Sequence, residues 1–368
     1  MHILHVGNHS YPCVGGVENV IWQSAREQAK LGHEVEIMVF NTCSTGEKCA
    51  VYEKKDGVTI HRVPQSGFSF YRVPPRGALL ARARDKDIIH IHGVGSWLDT
   101  LAGAKNMLSG KLILTTHGGF FHTTHRGWLK ALYARLILPR SWNKMDGIIY
   151  VSPSDKENFS FLPQEKTIVF PNGIEEDFLH VKQTKKDPEM FLFVGRLSEN
   201  KHVERLIETF SRFCSLNKRK NPSLHIVGKD WENSRAQLEQ LAREKGFESR
   251  VIFHGEVADA QKMKLYSRAT IFVSASTYEG FGISVVEAMA AGCVVCVNDI
   301  PPFREFVHGG NGFLTDYSIP ENAAHAWNKT VSLRASDKKI ILQKARAYAE
   351  ELSWPKLISK QVEWYRSR

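Results

Sequence analysis

The 368-residue sequence has no apolar run of the length that a membrane-spanning helix needs, so we expect no transmembrane segment. Its first residues also lack the basic start and long apolar core of a secretory signal peptide, and we expect none. Low-complexity stretches are absent. With 42% hydrophobic and 24% charged residues, the composition is that of a folded globular protein, and the length indicates two domains.

Cysteine is scarce and scattered. We interpret the thiols as free, in a reducing cytoplasm, because large chains with few cysteines rarely build a disulfide framework. Cys293 and Cys296 match the C-x-x-C spacing, but they lie in an apolar, β-branched run in which successive side chains alternate between faces. We therefore expect a core role for this pair. The six cysteines are Cys13, Cys43, Cys49, Cys214, Cys293 and Cys296.

The sequence also lacks the G-x-G-x-x-G and Walker A patterns, which argues against dinucleotide and ATP sites of those kinds. Its net charge of +10 is concentrated between residues 60 and 145, and the remainder is balanced. A basic region predicts an anionic partner, which is a nucleic acid, a membrane surface or a phosphorylated substrate. No helix-turn-helix, zinc or RNP signature supports the nucleic acid, and we expect no nucleic-acid partner.

Short apolar runs alternate with helical patterns throughout the chain. This rhythm predicts parallel sheets covered by helices on both faces, in two doubly wound Rossmann-like domains of the α/β class that face a central cleft. We predict an N-terminal domain over 1–171, a linker over 172–188 and a C-terminal domain over 189–350. Predicted strands are Ile3–Gly7, Glu34–Phe40, Val58–Val63, Ile88–His92, Lys111–Thr116, Gly147–Val151, Lys166–Phe170, Met190–Val194, Leu224–Val227, Val251–His254, Thr270–Ser274 and Cys293–Asn298.

Candidate ligand-binding residues follow these strands, because parallel sheets bind ligands beyond their carboxyl ends. The pair Gly15-Gly16 follows the first strand and opens a predicted helix, where anions are favoured, although glycine pairs also occur there for steric reasons. His117 ends a strand beside two glycines. Arg196 and Lys201 follow Met190–Val194 and would suit a diphosphate, whereas the alternative is two ordinary surface cations.

Two glutamates, Glu279 and Glu287, flank the stretch G-F-G-I-S-V-V near the end of the chain. Ser284 and Glu287 have the spacing of a capping box, which would make Glu287 a structural residue at a helix start. The alternative is a pair of ligand-binding carboxylates. The glycines Gly280 and Gly282 precede the predicted helix, whose first N–H groups would face the same cleft.

Five motifs, taken in order along the chain, resemble the retaining glycosyltransferases of family 4. They are G-G, H-G-G, P-N-G-I at 171–174, G-R-L-S-x-N-K at 195–201 and E-G-F-G-I-S-V-V-E at 279–287. The resemblance covers nearly the whole chain. T-H-G-G-F-F-H-T at 116–123 and D-I-P-P-F at 299–303 resemble the α-mannosyltransferases of xanthan- and acetan-type polysaccharide assembly. The resemblance implies the GT-B fold, with a last helix within Trp354–Arg366 that returns to the N-terminal domain. It also implies GDP-mannose as donor and a polyprenyl-diphosphate-linked oligosaccharide as acceptor.

The resemblance also implies roles for individual residues. Glu279 would contact the donor sugar, Glu287 the ribose hydroxyls, and His117 would lie near the anomeric carbon. Arg196 and Lys201 would neutralise the diphosphate. The remaining donor-binding residues implied are Gly15, Gly16, Val257, Phe281, Gly282 and Ile283.

Retention would need either a protein nucleophile or attack from the leaving-group face; the resemblance implies the second, and the sequence marks no further carboxylate as a nucleophile. Asp85-Lys86-Asp87 matches the D-x-D metal motif of a different glycosyltransferase fold, but it directly precedes a predicted buried strand. We therefore expect no required metal and no cofactor besides the sugar nucleotide. Two alternatives are a UDP-sugar-dependent transferase of the same fold and a GT-B nucleotide-sugar 2-epimerase, which would need no acceptor.

The segment 126–144 contains no acidic residue and mixes basic, aromatic and aliphatic side chains. Such a helix would suit an anionic membrane on which a lipid-linked acceptor resides, which places the protein at the inner face of the plasma membrane. The alternative is an ordinary helix with its apolar face in the core. Residues predicted for this side are Arg126, Trp128, Lys130, Arg135, Arg140 and Lys144.

Overall fold

A computed structural model gives the fold. It describes residues 1–43, 45–68, 71–119, 127–181, 186–216 and 221–368. The chain divides into two compact α/β units, of which the first comprises Met1–Gly173 with Trp354–Arg368 and the second Ile174–Ser353. Across the described ranges, no helix has both the length and the apolar character that crossing a bilayer requires.

The first unit is built around one twisted sheet with helices packed on it. Its strands are β1 (His2–Val6), β2 (Glu34–Phe40), β3 (Tyr52–Lys55), β4 (Val58–Val63), β5 (Ser66–Phe68), β6 (Tyr71–Val73), β7 (Ile88–His92), β8 (Lys111–Thr115), β9 (Gly147–Tyr150) and β10 (Thr167–Val169). Its helices up to this point are α1 (Gly16–Lys30), α2 (Arg76–Ala83), α3 (Ser96–Ala102), α4 (Gly127–Leu136), α5 (Leu138–Trp142) and α6 (Pro153–Asn158).

The strand order of this sheet is β10-β9-β8-β7-β1-β2-β4-β3, and β5 and β6 form a separate hairpin. Every pair in the large sheet is parallel except β3 with β4. The central strands β1, β7 and β8 are almost wholly buried, because helices cover both faces of the sheet. Their carboxyl ends therefore share one edge, which carries the loops after β1, β7 and β8.

The second unit repeats this plan. Its elements are α7 (Glu176–Leu179), β11 (Asp187–Val194), α8 (Val203–Leu216), β12 (Ser223–Val227), α9 (Arg235–Glu244), β13 (Val251–Gly255), α10 (Asp259–Arg268), β14 (Ala269–Ser274), α11 (Ile283–Ala290), β15 (Val294–Asn298), α12 (Pro301–Arg304), β16 (Phe313–Thr315), α13 (Pro320–Val331) and α14 (Ala335–Glu351). The strand order is β13-β12-β11-β14-β15-β16, with every pair parallel. The chain ends in α15 (Trp354–Ser367), which belongs to the first unit.

Apolar runs predict most strands closely. The predicted bounds of β2, β4 and β7 are those observed, and the other predicted strands differ by at most three residues at an end. The prediction misses β3, β16 and the β5–β6 hairpin. These strands are short and edge-placed or exposed, so they carry no apolar run. The segment expected to be a linker contains α7, which buries Phe178 and Leu179.

The prediction that all cysteines are free thiols is wrong. Cys13 and Cys43 form a disulfide, with Cα atoms 5.4 Å apart, and the sulfur of Cys49 lies 3.6 Å from that of Cys43. The two bonded residues are distant in sequence, but they follow β1 and β2, which are neighbours in the sheet and end at the same edge. The core role predicted for Cys293 and Cys296 is confirmed, since both are buried.

Candidate active site

In the second unit, the loops after β11 and β14 meet because these strands are neighbours. The Lys201 Nζ lies 2.5 Å from the Glu279 Oε1, and their side chains are only 13% and 14% exposed. The loops are joined further by Asn200, whose carbonyl accepts from the Thr277 N–H at 2.9 Å and whose side chain donates to the Tyr278 carbonyl at 3.1 Å. A predicted phosphate-binding cation and a predicted sugar-binding carboxylate therefore form one ion pair.

Arg196 is exposed at the start of the same loop. Its guanidinium carbon lies 4.9 Å from the centre of the Trp231 ring, a stacking arrangement that limits the rotamers of a long side chain. The loop is held beneath it by the Leu197 N–H, which donates to the Lys229 carbonyl at 2.8 Å. The structure thus presents a restrained cation to solvent at the carboxyl end of β11.

The start of α11 differs from the capping box that the sequence suggested. The helix begins at Ile283, the residue before it is Gly282 with a left-handed φ of 102°, and no side chain caps it. Ser284 is therefore inside the helix. A Cβ on Gly282 would lie 2.5 Å from a ring carbon of Phe303, so packing as well as backbone conformation requires glycine here. Phe281 is buried beside this turn.

Glu287 lies on α11 with its carboxylate buried. The Tyr266 hydroxyl donates to its Oε2 at 2.9 Å, and the Lys262 Nζ lies 3.7 Å from its Oε1. Burial raises the pKa of Glu287, against the opposing effects of Lys262 and Tyr266. A carboxylate kept in such an unfavourable place is typical of a site where it binds a ligand.

Lys262 and Tyr266 are site residues that the sequence analysis missed. Burial alone would lower the pKa of Lys262, but the carboxylates of Glu287 and Asp259 outweigh it and raise that pKa. The four-residue spacing of Lys262 and Tyr266 indicates one face of α10. Nothing in the sequence indicates that this face meets Glu287. Val257 lies just before α10 and is half-buried.

In the first unit, Gly15 directly precedes α1 and Gly16 is its first residue. A Cβ on Gly15 would lie 2.1 Å from the carboxylate of Glu18, whereas a Cβ on Gly16 would point into open space. The surroundings of Gly16 therefore leave room beside the N-terminus of a 15-residue helix, where the backbone favours an anion.

His117 follows β8 with a left-handed φ of 53°; it is half-buried and adjoins the buried rings of His92 and His5. Its Nε2 is 3.0 Å from the His92 Nδ1, and the His92 Nε2 is 2.9 Å from the His5 Nδ1. Burial lowers the pKa of His117 to about 3 and that of His5 to about 4. At neutral pH these rings are uncharged.

Among the described residues, two clusters have the spacing of a metal site: Cys13, Cys43 and Cys49, of which the first two are joined in the disulfide, and His5, His90 and His92. In the histidine cluster, however, each ring nitrogen has a hydrogen-bond partner. The His90 Nε2 is 2.7 Å from the Thr115 hydroxyl and its Nδ1 is 2.6 Å from the Tyr365 hydroxyl. A hydrogen-bond network therefore accounts for these three rings without an ion.

Asp155 on α6 holds the loop that carries His117. Its carboxylate accepts from the Thr116 hydroxyl at 2.5 Å, from the Gly118 N–H at 3.1 Å and from the Val151 N–H at 3.0 Å. The sequence analysis did not single it out, because an aspartate near the start of a helix is common as a local feature.

The helix α4 has none of its ten residues, all described, in the buried class. Trp128, Leu132 and Leu136 are 71%, 48% and 46% exposed, and their four-residue spacing places them along one stripe. Arg135, Arg140 and Lys144 are exposed nearby, and Lys130 is half-buried. The alternative of an apolar face in the core does not hold for this stripe. Arg126 lies outside the described residues.

Two family models match the chain in succession. Glycosyltransferase Family 4 matches residues 14–178, and Glycosyl transferases group 1 matches residues 175–349. The chain is a glycosyltransferase with a Glycosyltransferase Family 4 domain followed by a Glycosyl transferases group 1 domain. It is therefore an enzyme that transfers a sugar, and the two matches correspond to its two α/β units.

Curated relatives resemble this glycosyltransferase over almost its full length. One is the GDP-mannose:cellobiosyl-diphosphopolyprenol alpha-mannosyltransferase of Xanthomonas campestris, 27% identical over 99% of this chain and 96% of the relative. The protein of the same name from Komagataeibacter xylinus is 28% identical over 88% of this chain and 81% of the relative.

Solved structures share its fold at low identity. Anabaena HepE in complex with UDP and glucose superposes with a TM-score of 0.80 at 20% identity, covering 100% of this chain and 99% of that one. The sucrose-phosphate synthase of Thermosynechococcus elongatus gives 0.77 at 18% identity, with 99% and 98% covered. The glycosyltransferase thus has the GT-B fold of two Rossmann-like domains, as the resemblance implied.

Proposed function

We propose that this glycosyltransferase transfers mannose from GDP-mannose to a polyprenyl-diphosphate-linked oligosaccharide, with retention of the anomeric configuration, in the assembly of a bacterial exopolysaccharide. The observation that carries the proposal is the similarity, over 99% of the chain, to an enzyme named for that donor and a cellobiosyl-diphosphopolyprenol acceptor. The arrangement of charged residues at the carboxyl ends of β11 and β14 supports it.

The donor diphosphate would be bound by Arg196, Lys201 and the first amides of α11. As the bond between C1 and the diphosphate oxygen breaks, negative charge builds up on the leaving group and positive charge on the sugar ring. Fixed cations and helix amides stabilise that developing charge more than they stabilise the ground state. Two contacts support this role by restraining the cations: Arg196 lies over the Trp231 ring, and Lys201 is paired with Glu279.

The ion pair between Lys201 and Glu279 suggests how the two roles are divided. A carboxylate has several lone pairs, so Glu279 can accept hydroxyl groups of the sugar while it still holds Lys201. It would thereby position the sugar next to the cation that binds the departing phosphate. The phosphate oxygen would take the proton of the acceptor hydroxyl, which attacks from the same face and so retains the configuration.

A thermal-shift panel tests the donor. GDP, UDP, ADP and their mannose, glucose and N-acetylglucosamine conjugates are added to the protein without metal. A ligand at about 100 times its dissociation constant stabilises a protein by roughly 2.7 kcal/mol. We expect stabilisation by GDP and GDP-mannose. Stabilisation by a UDP ligand instead would refute the mannose donor and direct attention to the UDP-sugar transferase.

We further propose that the stripe Trp128, Leu132 and Leu136 on α4 rests on the anionic inner face of the plasma membrane, where a lipid-linked acceptor is found. Exposed aromatic and aliphatic side chains enter the headgroup region, and nearby cations add attraction to anionic lipid. The cations Arg135, Arg140 and Lys144 supply that attraction without a neighbouring acidic residue in the segment.

Sedimentation with vesicles of anionic lipid tests this face. The variant Trp128→Ser with Leu132→Ser is expected to lose vesicle binding while its melting temperature is unchanged. The matched control is Leu31→Ser with Phe161→Ser, since these side chains are 48% and 54% exposed elsewhere in the same unit. Equal vesicle binding by both double variants would contradict the proposal.

A further inference from the structure

The chain of rings that ends at His117 continues into two buried amides. The Gln28 Oε1 on α1 accepts from the His5 Nε2 at 2.7 Å. The Gln28 Nε2 donates to the Gln361 Oε1 on α15 at 3.1 Å. Tyr365 donates to that same Oε1 at 3.0 Å. The amide of Gln28 therefore has its oxygen towards the histidines and its nitrogen towards α15.

This orientation decides which nitrogen of each ring carries the proton. A neutral imidazole has one N–H and one bare nitrogen. Because Gln28 offers an oxygen, His5 carries its proton on Nε2 and its Nδ1 is bare. The bare Nδ1 must accept from the His92 Nε2, which leaves the His92 Nδ1 bare, and that nitrogen accepts from the His117 Nε2.

We propose that Gln28 and Gln361 are positioning residues that hold His117 in one tautomer, with its proton on Nε2 and its Nδ1 bare. In this state His117 can accept a hydrogen bond at Nδ1 but cannot donate one there. The site therefore selects a substrate group that donates, such as a sugar hydroxyl, and rejects a group that only accepts.

The burial of the chain supports this assignment. A protonated ring would donate at both nitrogens and would break the order of donors and acceptors. Burial lowers the pKa of His92 well below its usual value, as it does for His5 and His117, so none of the three rings holds a second proton near neutral pH. The tautomers are properties of the free protein, whereas their use on a sugar rests on the proposed function.

The first test is made on the wild-type protein. Long-range ¹H–¹⁵N spectra of histidine-labelled protein distinguish a protonated from a bare ring nitrogen, and a His117→Asn variant identifies the signals of His117. We expect a protonated Nε2 and a bare Nδ1 for His117 at pH 7. A His117 protonated on Nδ1, or a mixture of tautomers, would overturn the proposal without any change to the network.

The second test reverses the chain with Gln28→Glu. A glutamate at 28 has no N–H for Gln361, and its charge favours a protonated His5. Protonated His5 donates from Nδ1 to the His92 Nε2, so His92 then donates from Nδ1 to the His117 Nε2. The remaining proton of His117 must move to Nδ1. The same spectra report the state of His5: a neutral His5 should leave the His117 tautomer unchanged, because the carboxylate of the Gln28→Glu variant accepts from the His5 Nε2 as the wild-type amide oxygen does. An unchanged His117 tautomer beside a doubly protonated His5, or a reversed one beside a neutral His5, would refute the role of Gln28.

The matched control is Gln23→Glu. Gln23 is also buried in α1, and among the described residues its Oε1 has no hydrogen-bond partner. The control places a carboxyl group in the same helix without touching the chain of rings, and we expect the His117 tautomer to stay as in the wild type. A control that also shifts the tautomer would show that the effect is not specific to the chain.

Kinetics with GDP-mannose give an independent readout. A sugar hydroxyl that donates to the bare Nδ1 in the wild type must turn and accept from a protonated Nδ1 in Gln28→Glu. Because this exchange concerns one hydrogen bond of the bound ground state, we expect KM to rise by at most about tenfold with little change in kcat. The control is expected to leave KM as in the wild type, because Gln23 has no hydrogen bond to the chain of rings among the described residues. If GDP-mannose is not the donor, turnover is absent in every variant, yet the spectra still decide the tautomers.

Discussion

Replacement of Glu287 by glutamine separates a ligand-binding role from a structural one. The change keeps the shape of the side chain and one acceptor oxygen, but it removes the charge. In the folded protein this carboxylate is buried, and burial raises its pKa despite the nearby Lys262 and Tyr266. The folded state therefore disfavours the charged form, and its neutral isostere should be tolerated. Lys262 keeps a partner, because its Nζ lies 3.2 Å from the Asp259 Oδ1.

The sign of the stability change follows from the raised pKa. A carboxyl group whose pKa is raised in the folded protein lowers the free energy of unfolding, and this loss is complete at pH values above the raised pKa. The loss disappears as the pH falls below the ordinary pKa of 4.5. Glu287→Gln should thus equal or exceed the wild type in melting temperature at pH 7, and its advantage should shrink towards pH 4. Nucleotide affinity should fall about 10- to 100-fold, since a hydrogen bond to a charged group contributes about 1.5–3 kcal/mol.

The assay combines thermal melts between pH 4 and 8 with calorimetric titration of GDP. A matched variant, Glu350→Gln, removes a carboxylate that is half exposed and paired only on the surface of α14, and it should change neither quantity. The reasoning is refuted if Glu287→Gln melts several degrees lower at pH 7 while it binds nucleotide as the wild type does. That result would make Glu287 a structural residue.

The remaining predictions concern the loops around the site. Arg196→Ala and Lys201→Ala should each lower kcat by roughly 10²-fold. Only Lys201→Ala should also lower the melting temperature, because it leaves the mostly buried Glu279 unpaired. Near-wild-type turnover in both variants would exclude the diphosphate role. Gly282→Ala should lower the free energy of unfolding by about 1–3 kcal/mol, owing to its left-handed φ and the close ring, and denaturant titration measures it. Asp155→Asn should lower the free energy of unfolding by about 1–3 kcal/mol, since one amide oxygen cannot accept from the Thr116, Gly118 and Val151 donors together. An unchanged denaturant titration would show that another group holds the loop.

Elements with a strong local pattern could be predicted from the sequence. The strands β2, β4 and β7 are continuous apolar or alternating runs, and such runs report directly that a segment is buried between helix layers. The capping box before Glu287 is a counter-example. Its residue types fit, but Gly282 starts the helix earlier, because the turn packs against a phenylalanine that is close only in the folded chain.

The sequence by itself determined that the chain is α/β, where most strands begin and end, and which strands are followed by Gly16, His117, Arg196 and Glu279. These features depend on local periodicity and on the resemblance of short motifs. Only the tertiary structure decided which side chains meet. The ion pair of Lys201 with Glu279, the chain from Gln28 to His117 and the disulfide of Cys13 with Cys43 all join distant segments. Such partners are set by the order of strands in each sheet, which no local pattern records.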